Sequence, residues 1–360
     1  MKVLVAMSGG VDSSVAALLL KQQGYDCTGC TMKLYDNEDA GISRSHPCCT
    51  LDDIEDARRV AYGLDMRYFV FNFKDRFREK VIKKFIDSYL CGRTPNPCID
   101  CNRYLKFEKL FERAEILECN YVATGHYARI EFDGERYLLK KAADESKDQS
   151  YVLYSMTQYQ LAHTLFPLGC LAKSDVRKIA EENGFANAAK PDSQDICFVP
   201  DKDYAGTIER LTGVKSAEGN FLNENNEIIG THKGIIHYTI GQRRGLQIPS
   251  DSPLYVCRID ARSNTVTLGH SESLFSSETD VADFNWISGE APESSFRCKV
   301  KIRYRHREEP ATVYPEENGN VHIVFDSPQR AITPGQAAVL YDGDTVLGGG
   351  IIIQELPFTM

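Results

Sequence analysis

The chain has 360 residues, of which 42% are hydrophobic and 26% charged, values typical of a globular protein with two or three domains. Its net charge of −9 argues weakly against a nucleic-acid partner, unless basic residues cluster on one face. No apolar run approaches the roughly 18 residues that cross a bilayer, and no secretory signal is recognisable. We therefore expect a cytoplasmic protein without a membrane partner, whose twelve cysteines are reduced rather than paired in a disulfide framework.

The first third of the chain alternates short apolar strands with amphipathic helices. Strands are expected at residues 2–7, within 26–35, at 67–71 and at 121–124, and helices at 13–22, 51–64, 77–90 and 102–117. This alternation predicts an α/β fold with a doubly wound parallel sheet, in which ligands bind beyond the carboxyl ends of the strands.

The character of the sequence changes after about residue 198. A last helix is expected at residues 201–211, followed by Gly- and Asn-rich segments with short β-like runs. From about residue 280, short strands alternate with turns such as Glu317-Asn318-Gly319, which predicts a small all-β barrel. The expected domains are a catalytic domain (1–205), a small central domain (206–275) and a C-terminal β-barrel domain (276–360).

A glycine-rich segment, Ser8-Gly9-Gly10-Val11-Asp12-Ser13, connects the first strand to the first helix. The glycines let backbone N–H groups approach a phosphate, the hydroxyls add donors, and the helix N-terminus favours an anion. The spacing is not that of a Walker A loop. An ordinary strand-to-helix turn is the alternative for the Ser-Gly-Gly unit alone. The longer string AMSGGVDSSVAA, however, resembles the ATP-binding loop of the N-type ATP pyrophosphatases. That resemblance implies cleavage of ATP between the α and β phosphates, assisted by Mg²⁺, with transfer of AMP to a substrate oxygen.

Two cysteines, Cys98 and Cys101, form a C-x-x-C motif just ahead of a predicted helix, and Cys197 is a third candidate. A helix N-terminus lowers the pKa of a thiol and favours the nucleophilic thiolate. Redox or sulfur-transfer chemistry at Cys101 and Cys197 is the favoured interpretation. A structural zinc site needs four ligands, and an inert role in the core is a further alternative. The other candidate zinc ligands are His46, Cys48, Cys49 and Cys91.

Six longer motifs extend these observations along most of the chain. They are GRTPNPCIDCNRYLKF, TGHYA, KDQSYVL, DSQDICFVP, HYTIGQRRGL and TPGQAAVL. Their identity and order resemble the tRNA-specific 2-thiouridylases from near residue 1 to about residue 350. The resemblance implies a tRNA-uridine 2-sulfurtransferase with an ATP-pyrophosphatase domain, a small central domain and a C-terminal β-barrel. It also implies tRNA of the Glu, Gln and Lys type as substrate, activated at O2 of the wobble uridine. A sulfur-relay protein or cysteine desulfurase would act as persulfide donor.

Carried over to this sequence, the resemblance makes Cys101 the nucleophile and Cys197 the persulfide-bearing cysteine. The residues that it implies in ATP binding are Ala6, Met7, Ser8, Gly9, Gly10, Val11, Asp12, Ser13, Met32 and Gly125. Those that it implies in tRNA binding are Asn96, Pro97, Cys98, His126, Lys147, Asp148, Gln149, Arg303, Tyr304 and Gln336.

The sequence departs from some members of the family at Cys98, where they have an Asp. A thiol cannot simply take over the acid or base role considered for that Asp. Cys98, Cys101 and Cys197 could instead hold a 4Fe–4S cluster with one open iron, because cysteine thiolates are the usual cluster ligands. A persulfide on Cys197 is the competing route for sulfur.

Basic residues alternate over residues 297–307, which predicts a strand with one wholly basic face. They are Arg297, Lys299, Lys301, Arg303, Arg305 and Arg307. We interpret this face as a surface for the RNA backbone, with a solvated strand face as the alternative. Arg243 and Arg244 form a second basic loop that fits either interpretation.

Two further classes of function compete with sulfur transfer. One is a zinc-stabilised RNA-binding protein without thiolation activity. The other is an amide-forming synthetase built on the same phosphate loop, although no glutaminase segment is visible and such an enzyme would not need the C-x-x-C motif.

Overall fold

The computed structural model describes residues 1–36, 51–190, 196–199 and 201–353. The α-helices of this part are α1 (Val11–Gln22), α2 (Leu51–Gly63), α3 (Lys74–Phe77), α4 (Lys83–Leu90), α5 (Pro97–Cys101), α6 (Leu110–Ile116), α7 (Gln158–Ala162), α8 (Lys173–Glu182) and α9 (Tyr204–Thr212). The strands are β1 (Lys2–Ala6), β2 (Asp26–Lys33), β3 (Arg67–Asn72), β4 (Tyr121–Ala123), β5 (Ala128–Phe132), β6 (Tyr137–Lys141), β7 (Thr164–Leu165), β8 (Gly219–Leu222), β9 (Ile228–His232), β10 (Tyr255–Asp260), β11 (Thr265–Gly269), β12 (Phe275–Trp286), β13 (Phe296–Lys301), β14 (Glu309–Pro315), β15 (Val321–Arg330), β16 (Ala337–Asp342) and β17 (Thr345–Ile353). In these ranges, none of the helices has the length and apolar character that a membrane span requires.

The N-terminal sheet is parallel, with strand order β3-β2-β1-β4-β7. Val3, Leu4 and Val5 of β1 are fully buried because this central strand is covered on both faces. The predicted doubly wound sheet is therefore confirmed. Its register places the end of β1 beside Cys30 of β2 and beside the end of β4, so that the phosphate loop and the TGHYA motif begin next to each other.

Two helical regions beside this sheet begin earlier than predicted. A π-helical segment, Arg78–Ile82, joins α3 to α4, and a second, Asn102–Lys109, joins α5 to α6. The Asn96 side chain accepts a hydrogen bond from the Cys98 backbone N–H, and Pro97 occupies the first helical turn. The C-x-x-C motif therefore lies inside α5, and the expectation that it precedes a helix is wrong.

The central part of the chain forms a four-stranded sheet with order β10-β11-β8-β9. Strands β8 and β11 are parallel, and the other pairs are antiparallel. Phe221 of β8, Val256 of β10 and Val266 of β11 are fully buried on the core side of this sheet. The predicted helix at residues 201–211 begins at Tyr204, where the Asp203 side chain accepts a hydrogen bond from Gly206 N–H.

The C-terminal strands form a closed antiparallel barrel of six strands. Their order is β12-β15-β14-β13-β16-β17, and pairing of β12 with β17 closes the barrel. Fully buried aliphatic side chains such as Val281, Val300 and Ile323 fill its interior. The hairpin β5–β6, from the first 205 residues, adds to the barrel sheet through β17, which the sequence did not predict.

The predicted basic strand over residues 297–307 is wrong in its second half. Strand β13 ends at Lys301, and the chain turns before β14 starts at Glu309. Ile302 is fully buried, and the His306 N–H donates to the Arg303 carbonyl in the turn. The basic residues alternate through this turn as they do in the strand, so the sequence pattern does not show where β13 ends. The end of the strand is set by the edge of the barrel.

Candidate active site

In the loop between β1 and α1, the backbone at position 9 can be formed only by glycine. Gly9 has φ of +77°, and a Cβ atom there would lie 2.3 Å from the carbonyl oxygen of Asp53 in α2. Gly10 is the N-cap of α1 and has no side-chain cap. The first N–H groups of α1 therefore face the end of the sheet without intrahelical acceptors, an arrangement that suits an anion.

The buried hydroxyls of this loop shape the loop itself. Ser13 Oγ accepts from Ser8 N–H at 3.1 Å and donates to the Gly10 carbonyl at 3.1 Å. Ser14 Oγ also donates to the Gly10 carbonyl, at 3.0 Å. The Ser13 and Ser14 hydroxyls are thus engaged within the loop, and the expectation that hydroxyls donate to a phosphate stays a prediction. Ser8 alone among these three is exposed.

Asp12, in the first turn of α1, is held by two residues that sequence reasoning missed. Lys173 Nζ lies 2.7 and 2.8 Å from its carboxylate oxygens, and the Tyr127 hydroxyl donates to it at 2.7 Å. Lys173 is only 8% exposed, so this ion pair is largely protected from water. No local pattern links positions 161 residues apart.

The remaining residues expected at the nucleotide line the strand ends. A Cβ atom on Gly125 would lie 2.8 Å from the Ser13 nitrogen, so the chain after β4 packs directly against α1. Met32 in β2 and Ala6 in β1 are half-buried. Met7 and Val11 are buried in the hydrophobic core, which leaves their backbone atoms as the groups available to a ligand.

His126 is buried, and both of its ring nitrogens have protein partners. Nδ1 lies 2.7 Å from Thr124 Oγ1, and Nε2 lies 3.2 Å from Lys106 Nζ. An ammonium group only donates, so Nε2 accepts and Nδ1 carries the proton. Burial, reinforced by Lys106, lowers the pKa of His126 well below its usual value. The side chain is therefore neutral and buried in this structure, and its expected contact with tRNA stays a prediction.

Cys101 lies at the end of α5 and is half-buried. Burial raises the pKa of its thiol to about 11, while the nearby Lys106 acts in the opposite direction. The pKa is therefore raised and not lowered as expected, because burial has the largest effect on this thiol. Cys98, nearer the start of this helix, is exposed. Between them, Asp100 pairs with Lys84 at 2.7 Å, and burial nonetheless raises the pKa of its carboxyl group.

Cys197 is half-buried, and its carbonyl oxygen accepts a hydrogen bond from the Tyr35 hydroxyl at 2.8 Å. The next residue, Phe198, packs edge-on against Phe77 and Phe85 with ring centroids 5.7 and 5.2 Å away. Cys101 and Cys197 thus contact the same hydrophobic core.

The cysteines that the structure describes do not form a metal site in this arrangement. Within the residues that the structure covers, no group of three His, Cys, Asp or Glu side chains is placed to hold a metal ion. Cys98, Cys101 and Cys197 therefore do not fit a 4Fe–4S cluster here, and we derive no step through one. Cys91 is exposed at the end of α4 and belongs to no such group. The other candidate zinc ligands, His46, Cys48 and Cys49, lie outside the described residues, as do residues 192–195 of the DSQDICFVP motif.

Several residues expected at the tRNA have roles inside the protein. The buried Asp148 carboxylate accepts from Ala142 N–H at 3.0 Å and from the Ser150 hydroxyl at 2.7 Å. Gln149 Oε1 accepts from Tyr127 N–H at 3.0 Å. Both side chains stabilise the turn that follows β6, and their expected contacts with tRNA stay a prediction. Lys147 is half-buried in the same turn.

The residues expected to bind tRNA from the barrel lie close to the C-x-x-C motif. The Tyr304 hydroxyl donates to the Asp148 carbonyl at 3.1 Å, and Cys98 is near enough to contribute to the raised pKa of Tyr304, which is mainly due to burial. Arg303 donates to the Arg330 carbonyl at 3.2 Å, and burial together with Arg330 lowers its pKa. Gln336 Nε2 donates to the Thr94 carbonyl at 2.7 Å, ahead of α5.

Three family models match successive parts of this chain. The model described as the tRNA methyl transferase HUP domain matches residues 1–201, and the tRNA methyl transferase PRC-barrel domain matches residues 207–270. The aminomethyltransferase beta-barrel domain matches residues 276–352.

Full-length relatives are similar over nearly the whole chain. The tRNA-specific 2-thiouridylase MnmA 1 of Thermoanaerobacter sp. (strain X514) is 52% identical over 99% of this chain and 98% of the relative. The tRNA-specific 2-thiouridylase MnmA 2 of Caldanaerobacter subterraneus subsp. tengcongensis is 53% identical over the same shares. Among solved structures, a 4-thiouridine synthetase–RNA complex with bound ATP is 17% identical, with a TM-score of 0.37, over 59% of this chain and 51% of that chain. On the full-length identities and the matched family models, the chain belongs to the family of tRNA-specific 2-thiouridylases.

Proposed function

We propose that this protein uses ATP to activate O2 of the wobble uridine in tRNA and replaces that oxygen with sulfur. The observation that supports the proposal is a series of neighbouring residues that leads from the C-x-x-C helix to the phosphate loop. Lys106, in the helical segment that follows Cys101, contacts His126, and the neighbouring Gly125 packs against Ser13. A uridine bound at this junction has the α-phosphate of ATP on one side and the thiol on the other.

The first step activates the base. The uridine is flipped out of the anticodon stack, because O2 is inaccessible within it. O2 attacks the α-phosphorus, the bond to the β-phosphate oxygen breaks, and pyrophosphate leaves. Backbone N–H groups of the Ser8–Ser13 loop stabilise the charge on the phosphates. Mg²⁺ bound together with ATP would neutralise further charge on the phosphates.

The second step transfers sulfur. The outer sulfur of a Cys197 persulfide adds to C2, and AMP leaves with the former O2. The Cys101 thiolate then attacks the Cys197 sulfur, which breaks the S–S bond and leaves its electron pair on the sulfur of 2-thiouridine. A Cys101–Cys197 disulfide results, and an external thiol reductant must reduce it before the next turnover.

The sulfur donor and the substrates follow from the same proposal. A cytoplasmic persulfide-carrying protein, such as a sulfur-relay protein or a cysteine desulfurase, would load Cys197. The expected substrates are tRNAs with Glu, Gln and Lys type anticodons. A zinc-stabilised RNA-binding protein is not favoured, because the relatives that align over 98% of their own length are named as 2-thiouridylases.

The test is thiolation with purified components: unmodified tRNA, ATP, Mg²⁺ and a protein persulfide donor, followed by mass spectrometry of the nucleosides. We expect 2-thiouridine from the native protein, and losses of at least about a hundredfold in Cys101→Ser and Cys197→Ser, since each removes a covalent step. Cys170→Ser is the matched control, because Cys170 is an exposed thiol without an assigned role. Absence of 2-thiouridine with a competent donor, or full activity of Cys197→Ser, would refute the proposal.

A further inference from the structure

Asn187 is a buried side chain that touches the phosphate loop but belongs to none of the sequence motifs. It lies in the turns after α8 and is 4% exposed. Its Nδ2 donates to the Gly9 carbonyl at 2.9 Å and to Ser14 Oγ at 3.0 Å. Ser14 Oγ in turn donates to the Gly10 carbonyl, so a single amide group holds both glycine carbonyls of the loop, one directly and one through a hydroxyl.

The bond to the Gly9 carbonyl determines where the next N–H group points. The C=O and N–H of a trans peptide point in opposite directions, and no cis peptide is present in the described chain. Because the Gly9 carbonyl faces Asn187, the Gly10 N–H faces away from it. This N–H has no acceptor among the described residues and precedes the internal hydrogen bonds of α1. Around Gly10 the space is open, since a Cβ atom there would meet only Ser8 Oγ, at 3.5 Å.

Without Asn187, little would hold this peptide in its orientation. Residues 9 and 10 are both glycine, and glycine adopts positive and negative φ about equally well, so the peptide between them can flip at low cost. A flipped peptide would direct the Gly9 carbonyl oxygen, instead of the Gly10 N–H, towards the phosphates. The Cα of Gly9 is fixed separately by the adjacent Asp53 carbonyl, and Lys190 pairs with the Asp53 side chain.

The amide of Asn187 retains this orientation although it leaves one of its own atoms unsatisfied. Its Oδ1 is buried and has no hydrogen-bond partner within the described residues. Rotating the amide would place Oδ1 against the Gly9 carbonyl, which also only accepts hydrogen bonds. An unsatisfied buried acceptor is unfavourable, so its presence indicates that the two donor bonds to the loop decide the orientation.

We propose that Asn187 is a positioning residue that fixes the Gly9–Gly10 peptide so that the Gly10 N–H binds a phosphate of ATP. This inference rests on the proposed use of ATP at the loop, and it assigns a role to a residue 178 positions away from Gly9.

Direct binding measurements without tRNA or sulfur donor test the proposal. We expect Asn187→Ala to weaken Mg–ATP binding roughly tenfold or more, the size of a lost charge-assisted hydrogen bond. Asn187→Asp has the same shape but no hydrogen-bond donor, and we expect it to weaken the binding of ATP and of inorganic pyrophosphate further. The affinity for adenosine should stay within about twofold of the native value. Asn183→Ala is the matched control, since Asn183 is an exposed asparagine that donates only to Ile179 at the end of α8.

Two results would overturn the proposal. If Asn187→Asp binds ATP as tightly as the native protein, the amide serves only to fill space. If adenosine affinity falls as much as ATP affinity, the substitution has disturbed the whole nucleotide site and not the loop peptide. Because these experiments omit tRNA, a failure of the thiolation proposal would be seen separately, in the nucleoside assay.

Discussion

The thiol of Cys101 is surrounded by groups that act on its ionisation in opposite directions. Burial raises its pKa to about 11, and Cys98 and Asp100 add to this effect. Lys106 is the cation that opposes them. In an α-helix, residues five apart point about 140° away from each other, whereas the wider π-helix, with its i→i+5 hydrogen bonds, brings such residues nearer to one face. The π-helical segment after α5 thus directs Lys106 towards the Cys101 side of the helix.

Replacing Lys106 by Met should therefore make Cys101 less reactive. With the cation removed, the pKa of Cys101 rises further above 11, and the thiolate fraction at any pH between about 7 and 9.5 falls, tenfold for each pKa unit. We expect alkylation of Cys101, followed by peptide mass spectrometry at several pH values, to slow about three- to tenfold. Lys106→Arg should restore the rate. Lys109→Met is the control, because Lys109 pairs with Glu112. If Lys109→Met slowed alkylation of Cys101 as much as Lys106→Met does, Lys106 would have no specific effect on the thiol.

Part of the surroundings of Cys101 could be predicted from the sequence. Asn96 and Pro97 are the residues that begin α5, and their capping signals were sufficient to place Cys101 inside a helix and not ahead of one. The burial of Cys101 and the contact between Lys106 and His126 could not be predicted. They depend on how β4 and the α5–α6 region pack together, which no local pattern encodes.

At the level of elements, the hairpin β13–β14 separates basic residues that look equivalent in sequence. Arg297, on the strand, pairs with both carboxylate oxygens of Asp326. Arg305 and Arg307, in the turn, are exposed and pair with no carboxylate in the described chain. Period-two alternation correctly predicted a strand up to Lys301, but the position of the turn is set by barrel closure. The turn therefore presents two exposed basic residues that we expect to contact RNA, beside the exposed Lys299 of the strand.

Removing the two turn arginines together should weaken tRNA binding and its dependence on salt. Each lost phosphate contact lowers the slope of log affinity against log salt by roughly 0.7 to 0.9, so Arg305→Ala with Arg307→Ala should lower it by about 1.5. Filter binding between about 50 and 200 mM salt measures this slope. Arg297→Ala, which removes a paired arginine, should leave it unchanged. Similar slopes for the double variant and the native protein would show that the turn does not contact RNA.

At the scale of the whole molecule, the segment leading into α5 is held by both of the other parts of the chain. Thr94 Oγ1 lies 3.2 Å from Thr239 Oγ1 of the central part. From the barrel, the Pro334 carbonyl accepts from Thr94 N–H at 2.8 Å, and Gln336 donates to the Thr94 carbonyl. The sequence predicted the parallel sheet and the barrel from periodicity. The resemblance assigned Gln336 to tRNA, which stays a prediction, and its motif does not reveal the contact of its side chain with Thr94.

This junction makes the position of α5 depend on the barrel, which a glycine substitution can test. Gly335 has φ of +92°, and a Cβ atom there would lie 3.0 Å from the Thr94 nitrogen. Gly335→Ala therefore introduces both backbone strain and a contact that displaces Thr94. Gly319→Ala is the matched control, since Gly319 has φ of +83° and nothing within 4 Å of its Cβ position. Both variants should lose about 1–2 kcal/mol of unfolding free energy from the left-handed backbone.

Only Gly335→Ala should also lose catalysis. A shift of about 1 Å in a reacting group costs on the order of a hundredfold, so displacement of Thr94 and α5 should lower the single-turnover thiolation rate at least tenfold. ATP affinity measured without tRNA should stay unchanged, because the phosphate loop is held by α2 and Asn187 and not by the barrel. Faster hydrogen exchange at residues 92–101 in Gly335→Ala would locate the disturbance. Equal thiolation rates in the two alanine variants would mean that the barrel does not position the C-x-x-C helix.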